Sequence, residues 1–207
     1  MGLMSGWIAR GERAYDRLGR RNPRLSRAAW PFWRLARRLA GRPSYWDRRR
    51  HYRYYETVLD MARRHAPEGG RVLDVGAYEG ELLRRFDWFD SRLALDVRYM
   101  PPRRGVETIV ADFLDWEPRG NYDLVLCLQV LEHVPDPPAF ASKLLRTGRL
   151  VILSVPYRWP ADALDAHAHD PVDEAKLRDW TGLDPLETAI VDDGRERLIA
   201  VYAPRPR

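Results

Sequence analysis

Three short stretches hold residue types that can do chemistry. The first, "VLDVGAYEG" (72–80), sets Asp74 among apolar residues and then places Gly76 and Gly80 around Ala77, Tyr78 and Glu79. An apolar run that ends in a glycine loop can feed a nucleotide cradle, because glycine lets backbone approach a ligand without a Cβ clash. A dinucleotide fingerprint, G-x-G-x-x-G, would need glycines at 78 and 81. Tyr78 and Glu81 stand there, so that cofactor is excluded. The second stretch, "EHVPDP" (132–137), pairs Glu132 with His133. A histidine near its ordinary pKa is well suited to take a proton from a hydroxyl group. The third, "HAHDPVDEAKLRDW" (167–180), puts His167 and His169 on one side of an extended segment. They could contact acceptor hydroxyls, or hold a divalent ion such as Mg2+ with Glu132, His133 or Asp170. H-x-H by itself has no diagnostic metal spacing. Asp170 before Pro171 reads as a helix N-cap with proline at the first helical position, and Asp173 and Glu174 then fall in the first turn.

The surrounding elements must position these groups. From Arg71 onward, short apolar runs recur: 71–75, 92–97, 107–110, 122–128 and 149–155. Helices are expected between them at about 79–87 and 137–146. Continuous apolar strands separated by helices imply a parallel sheet covered on both faces. The end differs. "LETAIVDDGRERLIAVYA" (186–203) alternates on either side of Asp193-Gly194, which signals an antiparallel hairpin. The expected fold is therefore α/β: a doubly wound, mainly parallel seven-stranded sheet closed by a C-terminal antiparallel hairpin. Before it, helices are expected at 5–19, at 25–40 and from Ser44 to about His65. The chain accordingly divides into a basic helical N-terminal extension (1–70) and a sheet domain (71–207).

Order and spacing from 70 to 156 resemble class I S-adenosylmethionine-dependent methyltransferases, specifically small members with an E-H-V-P-D segment. The resemblance implies S-adenosyl-L-methionine as cofactor, with Asp74, Gly76, Ala77, Tyr78 and Gly80 in its loop. Tyr78 stands where such loops usually carry a second glycine, so its ring is expected to point outward, over the cofactor or at the edge of the acceptor site. Asp96, closing the second strand in "LALDV" with Val97 after it, would hold the ribose hydroxyls. Asp112 in "VADF" would hold the adenine amino group, with Phe113 beside the ring. Leu128 and Gln129 would lie near the methionine half. His133 would act as base on an acceptor hydroxyl, with His167 and His169 placing the acceptor. In "SVPYRWP", Tyr157, Arg158 and Trp159 would stack against and bind a sugar. These last segments resemble bacterial methyltransferases of glycan assembly, which implies O-methylation of a saccharide or glycoside.

Charge is unevenly spread. Residues 1–71 hold 18 arginines against six acidic residues, a balance of +12; the rest holds 17 basic against 24 acidic residues, a balance of −7. The arginine-rich part, with Trp7, Trp30, Phe32 and Trp33, reads as a helical lid. Its other readings are a helix lying on a membrane surface, a polyanion-binding patch or an oligomer contact. No recognisable RNA-binding module precedes the sheet. Methylation of nucleic acid through the arginine region is one rival function, and a non-catalytic cofactor-binding subunit is another. No apolar run reaches the roughly 18–20 residues of a membrane span, and no secretory signal is evident. The single cysteine, Cys127, lies in an apolar run. A cytoplasmic protein is the expectation.

Overall fold

The apolar runs become strands in the expected order. In the computed structural model, the described residues are 44–161, 163–164 and 167–204, with scattered positions between 25 and 41. The helix expected at 5–19 lies outside them, as do Trp7, Trp30 and Trp33; the described positions between 25 and 39 are helical. The strands are β1 (Arg71–Val75), β2 (Ser91–Asp96), β3 (Glu107–Val110), β4 (Tyr122–Leu128), β5 (Gly148–Pro156), β6 (Glu187–Asp192) and β7 (Glu196–Tyr202). They form one sheet of order β3-β2-β1-β4-β5-β7-β6. The first five are parallel, and β7 runs antiparallel between β5 and β6. β1 sits at the point where strand order reverses, pairing Val75 with Leu95 of β2 and Cys127 of β4. Ligands bind such sheets outside the carboxyl ends of the strands at that reversal.

Alternating side chains build two apolar layers. Leu124, Leu126, Ile152, Ile199 and Val201 face one side; Val125, Cys127, Leu153, Leu198 and Ala200 face the other. The first side is covered by α2 (Arg53–His65), which buries Tyr54, Tyr55, Val58, Leu59, Met61 and Ala62. Each such large apolar side chain contributes about 1.5–3 kcal/mol on burial. The sequence boundary at residue 70 therefore does not separate α2 from the core. The second side is covered by α3 (Pro137–Thr147) and α4 (Glu174–Thr181).

Two helical expectations are corrected. The stretch from Ser44 forms α1 (Tyr45–Arg49) and then α2, not one helix. Ser44 and Asp47 cap α1 reciprocally. At α2, the Arg53 and Tyr54 N–H groups each donate to the Asp193 carboxylate at 3.0 Å. That carboxylate comes from the β6–β7 turn, so a distant acid supplies the helix start. Between β1 and β2, the helix expected at 79–87 shrinks to a 3-10 turn, Leu82–Arg85. Leu82, Leu83, Phe86 and Phe89 are all buried there, and the Trp88 indole N–H donates to the Ala66 carbonyl. That wrap of aromatic anchors takes the place of further helical turns.

Candidate active site

The loop after β1 is shaped by two glycines and one strained tyrosine. Gly76 has φ +78°, and a Cβ there would lie 2.4 Å from Val130 Cγ2. The Gly76 and Ala77 N–H groups both donate to the Leu95 carbonyl, at 2.8 and 3.2 Å. Tyr78 has φ +55°, the left-handed conformation for which glycine is usual. Its N–H donates to Asp96 Oδ2 at 2.9 Å, which holds that conformation. Its ring lies against Tyr45, 4.6 Å between centroids, and under the Arg98 guanidinium at 4.4 Å. The ring thus walls the crevice instead of filling the loop. Gly80, at φ +67°, completes the turn.

Two carboxylates stand at the strand ends. Asp74 and Asp96 are each 4% exposed. Burial, reinforced by the negative charge of Asp96, pushes Asp74 up to about 7. Asp96 Oδ1 also accepts from the Arg98 N–H at 2.9 Å. Tyr45, Tyr55, Asp74, Gly76, Tyr78, Glu79, Glu81 and Leu128 line a crevice of about 450 Å³ that is open to solvent. Val97 is exposed just beyond β2. Asp112 is exposed, with Oδ1 accepting from the Leu114 N–H at 2.9 Å. Phe113 corrects the expectation. It is buried in the apolar layer against Phe140, centroids 5.0 Å apart, and offers no open face at the crevice. The turn after β3, closed by the Trp116 N–H donating to the Asp112 carbonyl, tucks it inward.

A second cluster follows β4. Gln129 has φ +58°, and its side-chain amide donates to Ser154 Oγ at 3.3 Å, away from the glycine loop. Leu131–His133 forms a 3-10 turn. Glu132 is 1% exposed, and neither oxygen is hydrogen-bonded to another described residue. Burial pushes it up to about 8. His133 is exposed, with Nε2 3.9 Å from Glu132 Oε1. The loop after β5 brings His167 to it, ring centroids 4.7 Å apart and edge to face. His167 Nδ1 lies 2.5 Å from Asp170 Oδ2. Trp159 stacks on the other side of His167, with centroids 5.7 Å apart.

Several sequence assignments change here. Asp170 is not a helix cap, because Asp173 takes that role and accepts from the Lys176 N–H. His169 stands apart from His133 and His167: its Nε2 bonds to the Val134 carbonyl at 2.8 Å and its ring packs on Trp180. The metal set Glu132, His133, His169 and Asp170 is therefore not assembled. Donor atoms of Glu132, His133 and His167 lie within 4.8 Å of one another instead. One carboxylate and two imidazoles fit Mg2+ poorly, since that ion prefers oxygen ligands. Tyr157 is buried, its hydroxyl donating to Glu174, and Arg158 faces the same glutamate. Of the "YRW" group, Trp159 alone faces the histidines.

Adjoining this cluster is a smaller pocket, open to solvent. Tyr45, Arg49, Tyr52, Tyr54, Tyr55, Leu128, Gln129 and Arg197 line it. The Tyr54 hydroxyl and Ser154 Oγ lie 2.5 Å apart. In the sequence, Tyr52 and Tyr55 fall at helical spacing with Val58, Leu59 and Ala62, which reads as a packing face. The density of aromatic residues in "SYWDRRRHYRYY" (44–55) was the available signal. In chemical terms, an acidic crevice suited to a cation and to hydroxyl groups meets a histidine pair beside an aromatic pocket.

The family model described as "Methyltransferase domain" matches residues 45–190. A ubiquinone biosynthesis O-methyltransferase from Xanthomonas oryzae pv. oryzae is 32% identical over 124 residues, covering 52% of this chain and 49% of that protein. The chain thus spans about half the length of the curated relatives it matches. Among solved structures, the 1,6-didemethyltoxoflavin-N1-methyltransferase of Burkholderia thailandensis, with bound 1,6-didemethyltoxoflavin and S-adenosylhomocysteine, aligns at TM-score 0.65 and 16% identity. That alignment covers 89% of this chain and 91% of that one. The N-terminal domain of EvdMO1, crystallised in the presence of S-adenosylhomocysteine and D-fucose, aligns at TM-score 0.52 and 20% identity, covering 73% and 82%.

Proposed function

Because the chain belongs to the methyltransferase-domain family, we propose that it transfers a methyl group from S-adenosylmethionine to a hydroxyl oxygen of a small molecule, a saccharide or glycoside foremost. One observation carries this reading. A buried Asp170–His167 pair supports an exposed His133 at the sheet edge where the glycine loop opens. An already electrophilic methyl donor leaves the protein two tasks, alignment of the acceptor and removal of its proton.

The residues present fit the cofactor. Gly76 lets the loop turn tightly against Val130, Asp74 lines the crevice, and Asp96 stands buried at the end of the neighbouring strand. Asp74, Gly76, Tyr78 and Leu128 would hold the methionine half, Asp96 the ribose and Asp112 the base. S-adenosylmethionine, when bound, supplies a methyl group on a positively charged sulfur. Asp96 can accept ribose hydroxyls through its remaining lone pairs in charge-assisted hydrogen bonds. Tyr45 and Tyr78 exclude water from one side of the crevice. His133 takes the proton from the acceptor hydroxyl. Asp170 accepts from His167 Nδ1 and so fixes the tautomer and ring plane of the imidazole that packs on His133.

The saccharide assignment draws on Trp159, whose ring lies between His167 and the Arg195 guanidinium, and on the EvdMO1 domain studied with D-fucose. A phenolic hydroxyl is the second reading, favoured by the name of the ubiquinone biosynthesis relatives. Incubation with methyl-labelled cofactor and a panel of saccharides, phenols, quinone precursors and RNA, with and without chelator, tests both. Label in an ether of a saccharide supports the first reading and label in an aryl ether the second. Label on nitrogen, on RNA or nowhere overturns O-methylation of a small molecule.

A further inference from the structure

Arg197 is a buried cation without a counter-ion among the described residues. It lies on β7 and is 7% exposed. Its Nη1 donates to the Arg195 carbonyl at 3.1 Å. Its guanidinium carbon stands 5.3, 5.6 and 5.7 Å from the ring centres of Tyr52, Tyr54 and Trp159. Buried charges are normally paired, because leaving water is costly. The nearby buried acid, Glu132, feels the Arg197 charge but forms no hydrogen bond or close ion pair with it.

The surroundings carry the argument further. Arg197 lines the smaller pocket together with a second guanidinium, that of Arg49. Arg49 donates to the Tyr45 hydroxyl and stacks over its ring at 4.0 Å, also without a carboxylate partner among the described residues. Among the described residues no acidic side chain lines this pocket, whereas Asp74, Glu79 and Glu81 line the neighbouring crevice. The two cavities share Tyr45, Tyr55 and Leu128. A basic pocket thus adjoins an acidic one across three side chains. Two like charges in an aromatic-walled space repel each other unless an anion lies between them, and guanidinium groups recognise carboxylate and phosphate well.

We propose that the smaller pocket binds an anionic group of the methyl acceptor, a carboxylate or a phosphate, through Arg197 and Arg49. This rests on the methyltransferase reading, which puts the donor in the acidic crevice next door. It narrows the acceptor to acidic or phosphorylated molecules and turns their transferable hydroxyl toward the donor.

Binding to the whole chain is measured by calorimetry with two matched sets of probes. One set is glucose, glucuronate and glucose 1-phosphate; the other is phenol, benzoate and phenyl phosphate. In at least one set, an anionic probe is expected to bind tenfold or more tighter than its neutral counterpart. Arg197→Met is expected to erase that preference and Arg49→Met to reduce it. A lead for the carboxylate or for the phosphate identifies which anion is meant, and either upholds the proposal. Equal binding of neutral and anionic probes, no binding of any anionic probe, or a preference unchanged in both variants overturns it. The wild-type comparison stands even if Arg197→Met does not fold. S-adenosylhomocysteine is titrated separately, so a failure of the cofactor reading shows there and not in the anion preference.

Discussion

His167 Nδ1 and Asp170 Oδ2 lie 2.5 Å apart, with side chains 4% and 0% exposed. The pair bridges three residues of a loop that neither caps a helix nor extends a strand. Its ring then packs on His133. Replacing His133 by Ala is expected to lower turnover by about 10²–10⁴-fold, the usual range for a general base, with S-adenosylhomocysteine affinity unchanged. Asp170→Asn is expected to lower turnover less and to shift its pH profile. Unaltered pH profiles in both variants would contradict a proton-transfer role.

The buried Glu132 makes stability depend on pH. Its folded pKa is raised to about 8 from an ordinary 4.5. Between those values the unfolded chain has lost its proton and the folded chain keeps it, so stability falls as pH rises from about 4.5 to 8. Glu132→Gln is expected to remove this slope, matching wild type near pH 5 and exceeding it near pH 9. Urea unfolding at the two pH values checks it, and parallel profiles would refute it.

Asp74 titrates near neutrality for a related reason, burial next to Asp96. A cationic ligand in the crevice gains from its ionised form. Affinity for S-adenosylmethionine is expected to rise as pH passes upward through about 7, and Asp74→Asn is expected to lose that dependence. Titration calorimetry at pH 6 and pH 8 reads the difference.

The carboxylate of Asp193, in the β6–β7 turn, starts α2. Asp193→Ala is expected to cost about 0.5–2 kcal/mol, the usual loss for a removed N-cap. Chemical denaturation measures it. An unchanged midpoint would mean that solvent serves those N–H groups equally well.

Much of the fold was legible because its strands are buried on both faces. Val72–Val75 and Leu124–Cys127 read as continuous apolar runs, and Asp193-Gly194 marked its turn without ambiguity. The break in the helix after Arg49 was not legible, since it depends on a carboxylate about 140 residues away. The acids at the ends of β1 and β2 could be found from position alone. The Asp170–His167 pair could not, because Asp-Pro before a helical stretch has a local reading as a cap, and Asp173 three residues later supplies that cap. Phe113 takes its expected place from its neighbour Asp112, yet the turn that follows β3 buries its ring against Phe140. Arg197 carried no local signal, as one arginine in the alternating run "ERLIAVY" looks solvent-facing.

The decisive measurement is a crystal structure with S-adenosylhomocysteine. Its adenosine is expected across the carboxyl ends of β1 and β2, with the ribose hydroxyls on Asp96, the base near Asp112 and the sulfur close to Leu128. Electron density for the ligand anywhere else, or a crevice left empty at saturating concentration with Asp96 still bound only to the Tyr78 and Arg98 N–H groups, would contradict it.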